Sequence, residues 1–285
     1  MQLEKVLAPI LGEMDAVERE LEEVAARVAS SDGARSGGSG MLAQISRQPF
    51  AVSGRRLRPA LVLLASRSAD DNPSSAGVPP RAAAVRLAAA VEVLHMASLV
   101  HDDIIDGAEE RRHRVSLNKR YGNSVAVLAG DILYTEFFSL ITELPVGAAL
   151  RSRLLAIFLG TTRKMCVGEI LAQEALSHGG SLRFEEYLAI SERKTASFFA
   201  SCCEGGGLVG GSGADGVGAL REFGLLFGLT FQMLDDLVDR DHGLDPEVDL
   251  RGLANDYAIK ARAAAAAFGR SFAEVSGLLD YVMAQ

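Results

Sequence analysis

Apolar residues recur every three or four positions along most of the chain, which is the period of an α-helix. In 3–29 this spacing leaves one apolar face and one acidic face. The same period predicts further helices over 81–105, 125–135, 150–173, 184–204, 219–239 and most of 249–285. A glycine-rich stretch, 205–218, predicts a loop between two of them. No run alternates apolar and polar residues as a half-buried strand does, so the pattern predicts an all-α protein.

Three aspartates interrupt the apolar pattern at the end of the predicted helix 81–105. In helical geometry Asp102 and Asp106 fall four residues apart on one face, with Asp103 beside them. Carboxylates that approach each other in a partly buried place repel unless a cation lies between them. Mg²⁺ suits such a place, because it takes carboxylate oxygens and completes its shell with water and phosphate oxygens. A solvated helix end is the alternative interpretation.

The same pattern occurs a second time in the C-terminal part of the chain. Asp235, Asp236 and Asp239 follow the apolar run 223–234, and Gln232 precedes them. A single acidic motif is weak evidence, but two motifs in the same apolar context favour a shared role. We expect the two motifs to face each other across a helical bundle and to hold a cluster of Mg²⁺ ions that binds a diphosphate.

Arginines accompany the first acidic motif on both sides in the sequence. Arg55, Arg56 and Arg58 lie close together beside a glycine, and Arg111 and Arg112 follow the aspartates. Guanidinium groups bind phosphate in a bidentate manner and stay charged. The arginines therefore predict contacts to two diphosphates, one bound to metal and one without metal. For the first group, a basic helix start at the surface is the alternative.

Two further polar positions lie inside predicted helices. His95 precedes Asp102 by two helical turns and lies on roughly the same face. A contact to a bound ligand and a satisfied core histidine both remain open for it. Lys194 and Thr195 lie in the middle of an apolar helix. An inward-facing phosphate contact and a snorkelling lysine both remain open for this pair.

Composition limits the class of function. The chain has 285 residues, 48% of them hydrophobic, and a formal net charge of −8, which argues against a nucleic-acid partner. Cys166, Cys202 and Cys203 lack the spacing of a metal site and indicate reduced thiols. The first residues lack the apolar core of a signal peptide, and no uncharged apolar run reaches the ~18 residues of a membrane span. These features predict a soluble, cytoplasmic protein.

Taken in order, the motifs resemble those of the trans-isoprenyl diphosphate synthases, or polyprenyl synthetases, of the long-chain type. Residues 53–59 resemble the motif G-G-K-R-L-R-P, with Arg55 in place of the lysine. Residues 102–112 resemble the first Asp-rich motif together with its arginine pair, 194–195 the K-T motif, and 232–239 the second Asp-rich motif. The resemblance implies an all-α, single-domain helical bundle of the isoprenoid synthase type with a central active-site cavity. It implies one polyprenyl synthetase-like domain over 1–285, shortened after the second motif, because the usual G-K-x-T-L-P-like loop is missing.

The resemblance also implies an activity and a role for each motif residue. The activity is Mg²⁺-dependent transfer of a prenyl group from farnesyl or geranylgeranyl diphosphate to isopentenyl diphosphate. A cluster of three Mg²⁺ ions would be held by Asp102, Asp106 and Asp235. Catalytic support would come from Asp103, Asp236, Asp239 and Lys194. The allylic diphosphate would contact Arg111, Lys194, Thr195 and Gln232. Isopentenyl diphosphate would contact Arg55, Arg58, His95 and Arg112.

Alternative functions remain open at this point. The missing loop keeps a weakly active or non-catalytic partner subunit of a heteromeric synthase as one alternative. A terpene cyclase is disfavoured, because cyclases usually replace the second Asp-rich motif and need no isopentenyl diphosphate site. By the resemblance we expect a homodimer, with a heterodimer as the alternative, and product release in transient proximity to a membrane.

The helical turns before Asp102 bear on the length of the product. Ala97 and Ser98 lie about one turn, ~5.4 Å, before Asp102, and Leu94 lies on the next turn. By the resemblance, an aromatic residue near this point acts as a floor that stops short products, whereas small side chains leave the passage open. The sequence therefore predicts an all-trans product longer than geranylgeranyl diphosphate. The alternative is that the small residues only allow close helix packing.

Overall fold

The structure is a computed structural model that describes residues 3–30, 44–45, 47–51, 54–67, 80–111, 114–177, 181–239, 244, 248–266 and 272–285. Most of these residues are helical, which confirms the all-α prediction. The α-helices are α1 (Leu3–Leu7), α2 (Leu11–Ser30), α3 (Leu57–Arg67), α4 (Pro80–Ile105), α5 (Leu117–Tyr121), α6 (Asn123–Thr142), α7 (Ala148–Ser177), α8 (Phe184–Ser191), α9 (Ser197–Gly210), α10 (Ala214–Asp239), α11 (Leu250–Ala266) and α12 (Phe272–Met283). Single turns of 3₁₀-helix cover Ala8–Ile10 and Pro49–Ala51, and a π-helical segment covers Glu192–Ala196.

Three local features differ from the sequence prediction. The predicted helix 3–29 is interrupted by the Ala8–Ile10 turn, where Pro9 lies at the start of the turn. A short hairpin pairs Glu110–Arg111 with Arg114–Val115 in antiparallel register. Its strands have two residues each, which is too short for an alternating pattern to be visible in the sequence.

The predicted loop over 205–218 is the third difference. Helix α9 continues to Gly210, so most of the glycines in this stretch are helical. A Cβ atom on Gly206 would meet the carbonyl oxygen of Val62, and one on Gly210 would meet that of Ser66. The glycines therefore allow α9 to lie directly against α3. Gly211, with φ 86°, ends the helix in the left-handed conformation that suits glycine.

The chain divides into two compact units. The larger unit comprises Met1–Leu11, Ala60–Ala84 and Val146–Gln285, and the smaller comprises Gly12–Pro59 and Val85–Pro145. In the larger unit, fully buried phenylalanines dominate the core, and the rings of Phe199 and Phe227 lie 5.1 Å apart. In the smaller unit, fully buried side chains include Leu21, Leu87 and Phe137. The extent of one domain over 1–285 stays a prediction.

Three helices are long and apolar enough to cross a membrane by length and composition: Arg81–Ile105, Asn123–Thr142 and Ala214–Val238. Each has an 18-residue window with at most two charged residues. The sequence argument against a membrane span required an uncharged run, and that criterion is too strict. In the same order, 72%, 39% and 56% of these windows are buried within the protein, so much of the apolar surface of the first lies in the core.

Candidate active site

The first aspartate motif lies at the C-terminal end of α4, in the smaller unit. The helix ends at Ile105, but the backbone N–H of Asp106 still donates to the carbonyl of Asp102 over 2.8 Å. The two residues are therefore one helical turn apart, as their spacing predicts. Asp102 is half-buried and Asp106 is exposed. Gly107 follows with φ 62°, a conformation that glycine adopts without strain, and the helix cannot continue beyond it.

Asp103 has a different environment from its two neighbours. It is buried, and the guanidinium Nε of Arg111 donates to its Oδ1 over 2.6 Å. Burial raises the pKa of the Asp103 carboxyl, and the charge and hydrogen bond of Arg111 oppose this only in part. The side-chain amide of Asn118 donates to the backbone carbonyls of Asp103 and Ala108, each over 3.0 Å. Asp103 thus holds Arg111 next to the end of α4. Arg112 lies outside the described residues.

The arginine cluster precedes α3 and also belongs to the smaller unit. Arg56 is its buried member, and its guanidinium lies 2.5 Å from Glu92 on α4 and 2.8 Å from Glu18 on α2. Burial disfavours the charge, but the two carboxylates together raise the pKa of Arg56 above its ordinary value. Arg55 is exposed and Arg58 is half-buried.

Arg58 and His95, which the sequence assigns to one ligand, are brought together. Nη1 of Arg58 lies 3.3 Å from Nε2 of His95. Because a guanidinium only donates hydrogen bonds, Nε2 is the acceptor in this contact and the neutral ring carries its proton on Nδ1. The role of both residues in binding isopentenyl diphosphate stays a prediction.

The residues predicted to set product length lie on the buried part of α4. Leu94 and Ala97 are fully buried, and Ser98 is half-buried. The hydroxyl of Ser98 donates to the backbone carbonyl of His95 over 2.8 Å, so its polar atom is satisfied within the helix. Neither Ala97 nor Ser98 adds a bulky group at this turn, which is what the prediction of an open passage requires.

A cavity lies beside α4 in the smaller unit, on another face of the helix. Met96, Leu99, Val100 and Asp103 line it from the helix side. The remaining lining residues that the structure describes are Gln48, Pro49, Arg111, Arg114, Val115, Ser116 and Leu117. At about 100° per residue, this face lies roughly a third of a turn around the helix from Asp102. The cavity is therefore distinct from the passage predicted along Ala97 and Ser98.

Lys194 and Thr195 lie in the π-helical segment Glu192–Ala196, between α8 and α9 of the larger unit. Such segments are rare and often occur at functional sites. Nζ of Lys194 lies 2.5 Å from Glu169 on α7, whose side chain is only 12% exposed. A Cβ atom on Gly168 would meet the backbone nitrogen of Lys194, so this glycine allows α7 to approach the segment closely.

The Lys194–Glu169 pair bears on the snorkelling interpretation of the lysine, while the phosphate contact stays a prediction. Burial raises the pKa of the Glu169 carboxyl, but hydrogen bonds from Lys194 and Gln173 outweigh it and hold that pKa below its ordinary value. Nε2 of Gln173 donates to Glu169 over 3.1 Å. Lys194 is therefore held by a charged partner and does not simply snorkel to the solvent.

A chain of hydrogen bonds links the π-helical segment to the second aspartate motif on α10. The Thr195 hydroxyl donates to Oε1 of Gln232 over 2.6 Å, and Nε2 of Gln232 donates to Oδ1 of Asp236 over 2.9 Å. The other carboxylate oxygen of Asp236 accepts a hydrogen bond of 2.6 Å from the Tyr187 hydroxyl. Burial and the charge of Asp236 raise the pKa of Tyr187, so its hydroxyl stays a donor at neutral pH. Asp235 is exposed beside this chain.

In both motifs the middle aspartate and the first aspartate have different environments. In each, the middle aspartate is engaged by a protein donor, Asp103 by Arg111 and Asp236 by Tyr187. The first aspartate of each motif, Asp102 or Asp235, reaches solvent at least in part. Asp239 is the last residue of α10.

These donors fit Mg²⁺. Among the residues that the structure describes, no three His, Cys, Asp or Glu side chains converge as a complete metal site. Mg²⁺ is usually bound by one or two carboxylates together with water and substrate phosphates, and does not need a complete protein cage. Asp102 and Asp106, four residues apart at a helix end, and Asp235 are side chains of this kind.

Sequence reasoning missed several residues of these networks, and four of them hold a functional side chain directly. Glu92 carries a weak signal, because it is an acid in an otherwise apolar helix and lies three residues before His95. Glu169 follows a glycine inside a helix, which marks a close approach. Tyr187 and Glu18 lie on ordinary amphipathic helices, and their partners are distant in sequence.

Comparison with known proteins gives a consistent result. The family model described as polyprenyl synthetase matches residues 39–258. A short chain isoprenyl diphosphate synthase from Methanothermobacter thermautotrophicus is 31% identical over 202 residues, which are 70% of this chain and 58% of that protein. A nonaprenyl diphosphate synthase from Mycobacterium tuberculosis is 33% identical over 204 residues, 71% of this chain and 56% of that protein.

A solved structure supports the same grouping. The polyprenyl synthase from Caulobacter crescentus, solved with calcium and isoprenyl diphosphate, superimposes with a TM-score of 0.81 at 25% identity. The superposition covers 100% of this chain and 98% of that one. The chain spans less than two thirds of the length of the curated relatives described above.

Proposed function

The chain belongs to the polyprenyl synthetase family, and from this we propose that it is a trans-prenyltransferase that joins isopentenyl diphosphate to an allylic diphosphate. The observation that carries the proposal is the pairing of acidic and cationic groups in both aspartate motifs. In one unit Asp102 and Asp106 accompany Arg111, and in the other Asp235 lies on the helix that is linked to the Lys194 segment. Such groups suit a diphosphate that arrives with divalent cations.

The roles of the residues follow from their charges. Lys194 and Arg111 bind the allylic diphosphate and stabilise the negative charge that develops as it departs, and Thr195 and Gln232 contact the same group. Asp102, Asp106 and Asp235 would hold Mg²⁺, which would supply further positive charge to the departing diphosphate. The allylic C–O bond breaks, and its electron pair leaves with the diphosphate.

The new bond forms from the second substrate. Arg55, Arg58 and His95 hold the diphosphate of isopentenyl diphosphate, so that its double bond reaches the allylic cation. The double bond supplies the electron pair of the new C–C bond, and a proton then leaves to the released diphosphate. The apolar faces of the surrounding helices exclude water, which would otherwise capture the cation.

We also propose that the product is a long all-trans chain, because Ala97 and Ser98 carry small side chains one turn before Asp102. The names of the relatives do not decide the length, since they include a short chain and a nonaprenyl diphosphate synthase. Farnesyl and geranylgeranyl diphosphates are the expected allylic substrates, and a cluster of three Mg²⁺ ions is the expected metal content.

Assembly and location complete the proposal. We expect a homodimer, because large apolar side chains are exposed on two helices: Leu128 on α6 is 61% exposed and Ile170 on α7 is 66% exposed. A heterodimer with a related subunit is the alternative. We expect a cytoplasmic enzyme that meets a membrane only when its apolar product leaves. Mass measurement at micromolar concentration, with Leu128→Glu and Ile170→Glu as variants, tests the dimer.

One experiment tests the activity itself. The purified chain is incubated with farnesyl diphosphate and labelled isopentenyl diphosphate over a range of Mg²⁺ concentrations. The expected result is a labelled prenyl diphosphate that requires both substrates and Mg²⁺. Absence of product at every Mg²⁺ concentration would favour the partner-subunit function. A hydrocarbon formed from the allylic substrate alone would favour a cyclase.

A further inference from the structure

Arg56 is the arginine of the 55–58 cluster to which the family resemblance assigns no role of its own. Its residue surface is only 7% exposed, so its charge is taken out of water. A buried guanidinium is tolerated when carboxylates satisfy it, and here two do so. Nη1 binds Glu92, while Nε and Nη2 bind the two carboxylate oxygens of Glu18, at 2.8 and 3.2 Å.

The two carboxylates belong to different helices of the smaller unit. Glu18 lies on α2 and Glu92 on α4, so the Arg56 side chain bridges both helices. Glu92 itself is buried, with its side chain 6% exposed, whereas the Glu18 side chain is 45% exposed. The Glu92 contact is therefore the stronger of the two, since it is screened less by solvent.

The contacts form a clamp between the arginine loop and α4. Arg56 binds Glu92, and two residues later Arg58 contacts His95, which lies three residues after Glu92. Both contacts reach the same helix, which also carries Asp102 at its end. The loop is thus fixed at two points relative to one rigid element.

The backbone conformation of Arg56 is unusual for a residue with a side chain. Its φ is 50°, in the left-handed region, and among the described residues it is the one non-glycine residue with positive φ. An L side chain rarely adopts this conformation unless the surrounding structure holds it there. The ion pairs of Arg56 with Glu92 and Glu18 hold the residue in this conformation. As a result the Arg56 side chain points inward while Arg55 remains exposed.

We propose that Arg56 is a positioning residue whose ion pairs with Glu92 and Glu18 fix Arg55 and Arg58 in the geometry that binds the diphosphate of isopentenyl diphosphate. The inference rests on the proposed function for the identity of this substrate. Arg56 itself touches no substrate. A planar guanidinium is needed, because only its fork reaches two carboxylates in different directions at once.

Arg56→Lys tests the proposal. The lysine keeps the charge in place but loses the fork, so one of the two carboxylates is left without its partner. We expect KM for isopentenyl diphosphate to rise about tenfold, with KM for the allylic diphosphate within about twofold of wild type. A role in stability alone would change both constants together or neither. Glu92→Gln is expected to have the same selective effect, and Glu18→Gln a smaller one.

Arg67→Lys is the matched control. Arg67 lies on α3 and pairs with Glu274 over 3.3 Å, so the same chemical change is made at another arginine–glutamate pair. Both KM values are expected to stay at the wild-type level. Thermal unfolding of each variant verifies that it is folded. If Arg56→Lys does not fold, the Glu18→Gln variant decides, because the Glu18 side chain is 45% exposed and its substitution leaves no buried carboxylate without a partner.

A binding measurement separates this inference from the proposed function. Inorganic diphosphate is titrated by calorimetry in Mg²⁺-free buffer, where the arginines must hold it without metal. We expect about tenfold weaker binding to Arg56→Lys than to wild type, which corresponds to ~1.4 kcal/mol. If wild type binds diphosphate in this way but makes no prenyl product, the proposed function fails and the positioning role stands. Equal affinities in wild type and Arg56→Lys, or no binding to wild type, would overturn the positioning role.

Discussion

The hydroxyl of Tyr187 donates a hydrogen bond of 2.6 Å to Asp236, and so ties α8 to the second aspartate motif. The opposite oxygen of the same carboxylate accepts from Gln232. A carboxylate held at both oxygens by protein donors is fixed in orientation and is less available as a metal ligand. Asp235, its neighbour, reaches solvent and is the residue of the pair that suits a metal.

Tyr187→Phe removes only the hydroxyl, and we expect kcat to fall about tenfold. A hydrogen bond to a charged group contributes about 1.5–3 kcal/mol, and part of this loss appears as a less ordered Asp236. Steady-state kinetics with saturating substrates measure the effect. Tyr257→Phe, on α11, is the control and should leave kcat unchanged. Wild-type kcat in Tyr187→Phe would show that the hydrogen bond has no catalytic consequence.

The Lys194–Glu169 ion pair predicts a pH dependence of stability. The pKa of Glu169 is held below its ordinary value of 4.5 in the folded protein. Because the pKa of Glu169 is lower in the folded protein than in the unfolded chain, the ion pair stabilises the folded protein above pH 4.5. This contribution is lost as the pH falls below that value. Lys194 is 38% exposed, so solvent screening limits the contribution to about 1 kcal/mol.

Denaturant unfolding of wild type and Glu169→Gln at several pH values measures this contribution. The difference in unfolding free energy should be constant from about pH 5 to 8 and should shrink as pH falls below the ordinary glutamate range. Glu23→Gln, at an exposed position on α2, serves as the control and should show no difference. A difference that grows towards acid pH would contradict the assigned direction.

Comparison of sequence and structure separates local from non-local features. The relation of Asp102 to Asp106 follows from the helical period alone, and was therefore predictable. The partner of Asp236 was not, because Tyr187 reaches it only through the packing of α8 against α10, 49 residues apart in sequence. The sequence singled out Lys194 as a cation in an apolar helix. It could not predict the π-helical segment around Lys194, because that segment changes neither the composition nor the apolar period.

Glycine and arginine illustrate the same limit. The glycines of 205–218 led to the prediction of a loop, because glycine usually favours turns. In the structure the packing of α9 on α3 outweighs that preference, and a helix results. Arg56 read as one more phosphate-binding arginine, and only the placement of Glu92 on a neighbouring helix reveals its buried ion pair. The family resemblance, in contrast, depends on ordered motifs and was correct from sequence.

Asp102→Ala should lower kcat by several orders of magnitude, because it removes a direct ligand of the expected metal and with it transition-state charge stabilisation. The fold should persist, since the substitution removes one of several mutually repelling carboxylates. Kinetics at saturating Mg²⁺ and a thermal unfolding curve are the two measurements. Asp256→Ala, an exposed acid on α11, is the control and should have wild-type kcat. Turnover near the wild-type level in Asp102→Ala would refute the metal role.

Ala97→Phe tests the proposed product length. Ala97 is fully buried one turn before Asp102, so a ring at this position would fill the passage that the growing chain is expected to follow. With farnesyl diphosphate as the allylic substrate, we expect the products of the variant to stop at geranylgeranyl diphosphate, whereas the wild type makes longer chains. The added volume is expected to cost about 1–3 kcal/mol of stability, so a thermal unfolding curve must accompany the product analysis.

Met96→Phe is the matched control for Ala97→Phe, because it places the same ring on the adjacent residue. Met96 lines the cavity on another face of α4, about 100° around the helix from Ala97. Its product chains should keep the wild-type length. Chromatographic analysis of the dephosphorylated products measures the chain lengths that both variants make. If folded Ala97→Phe gives the wild-type range of chain lengths, the floor of the passage is formed by another helix, and the small residues of α4 serve only helix packing.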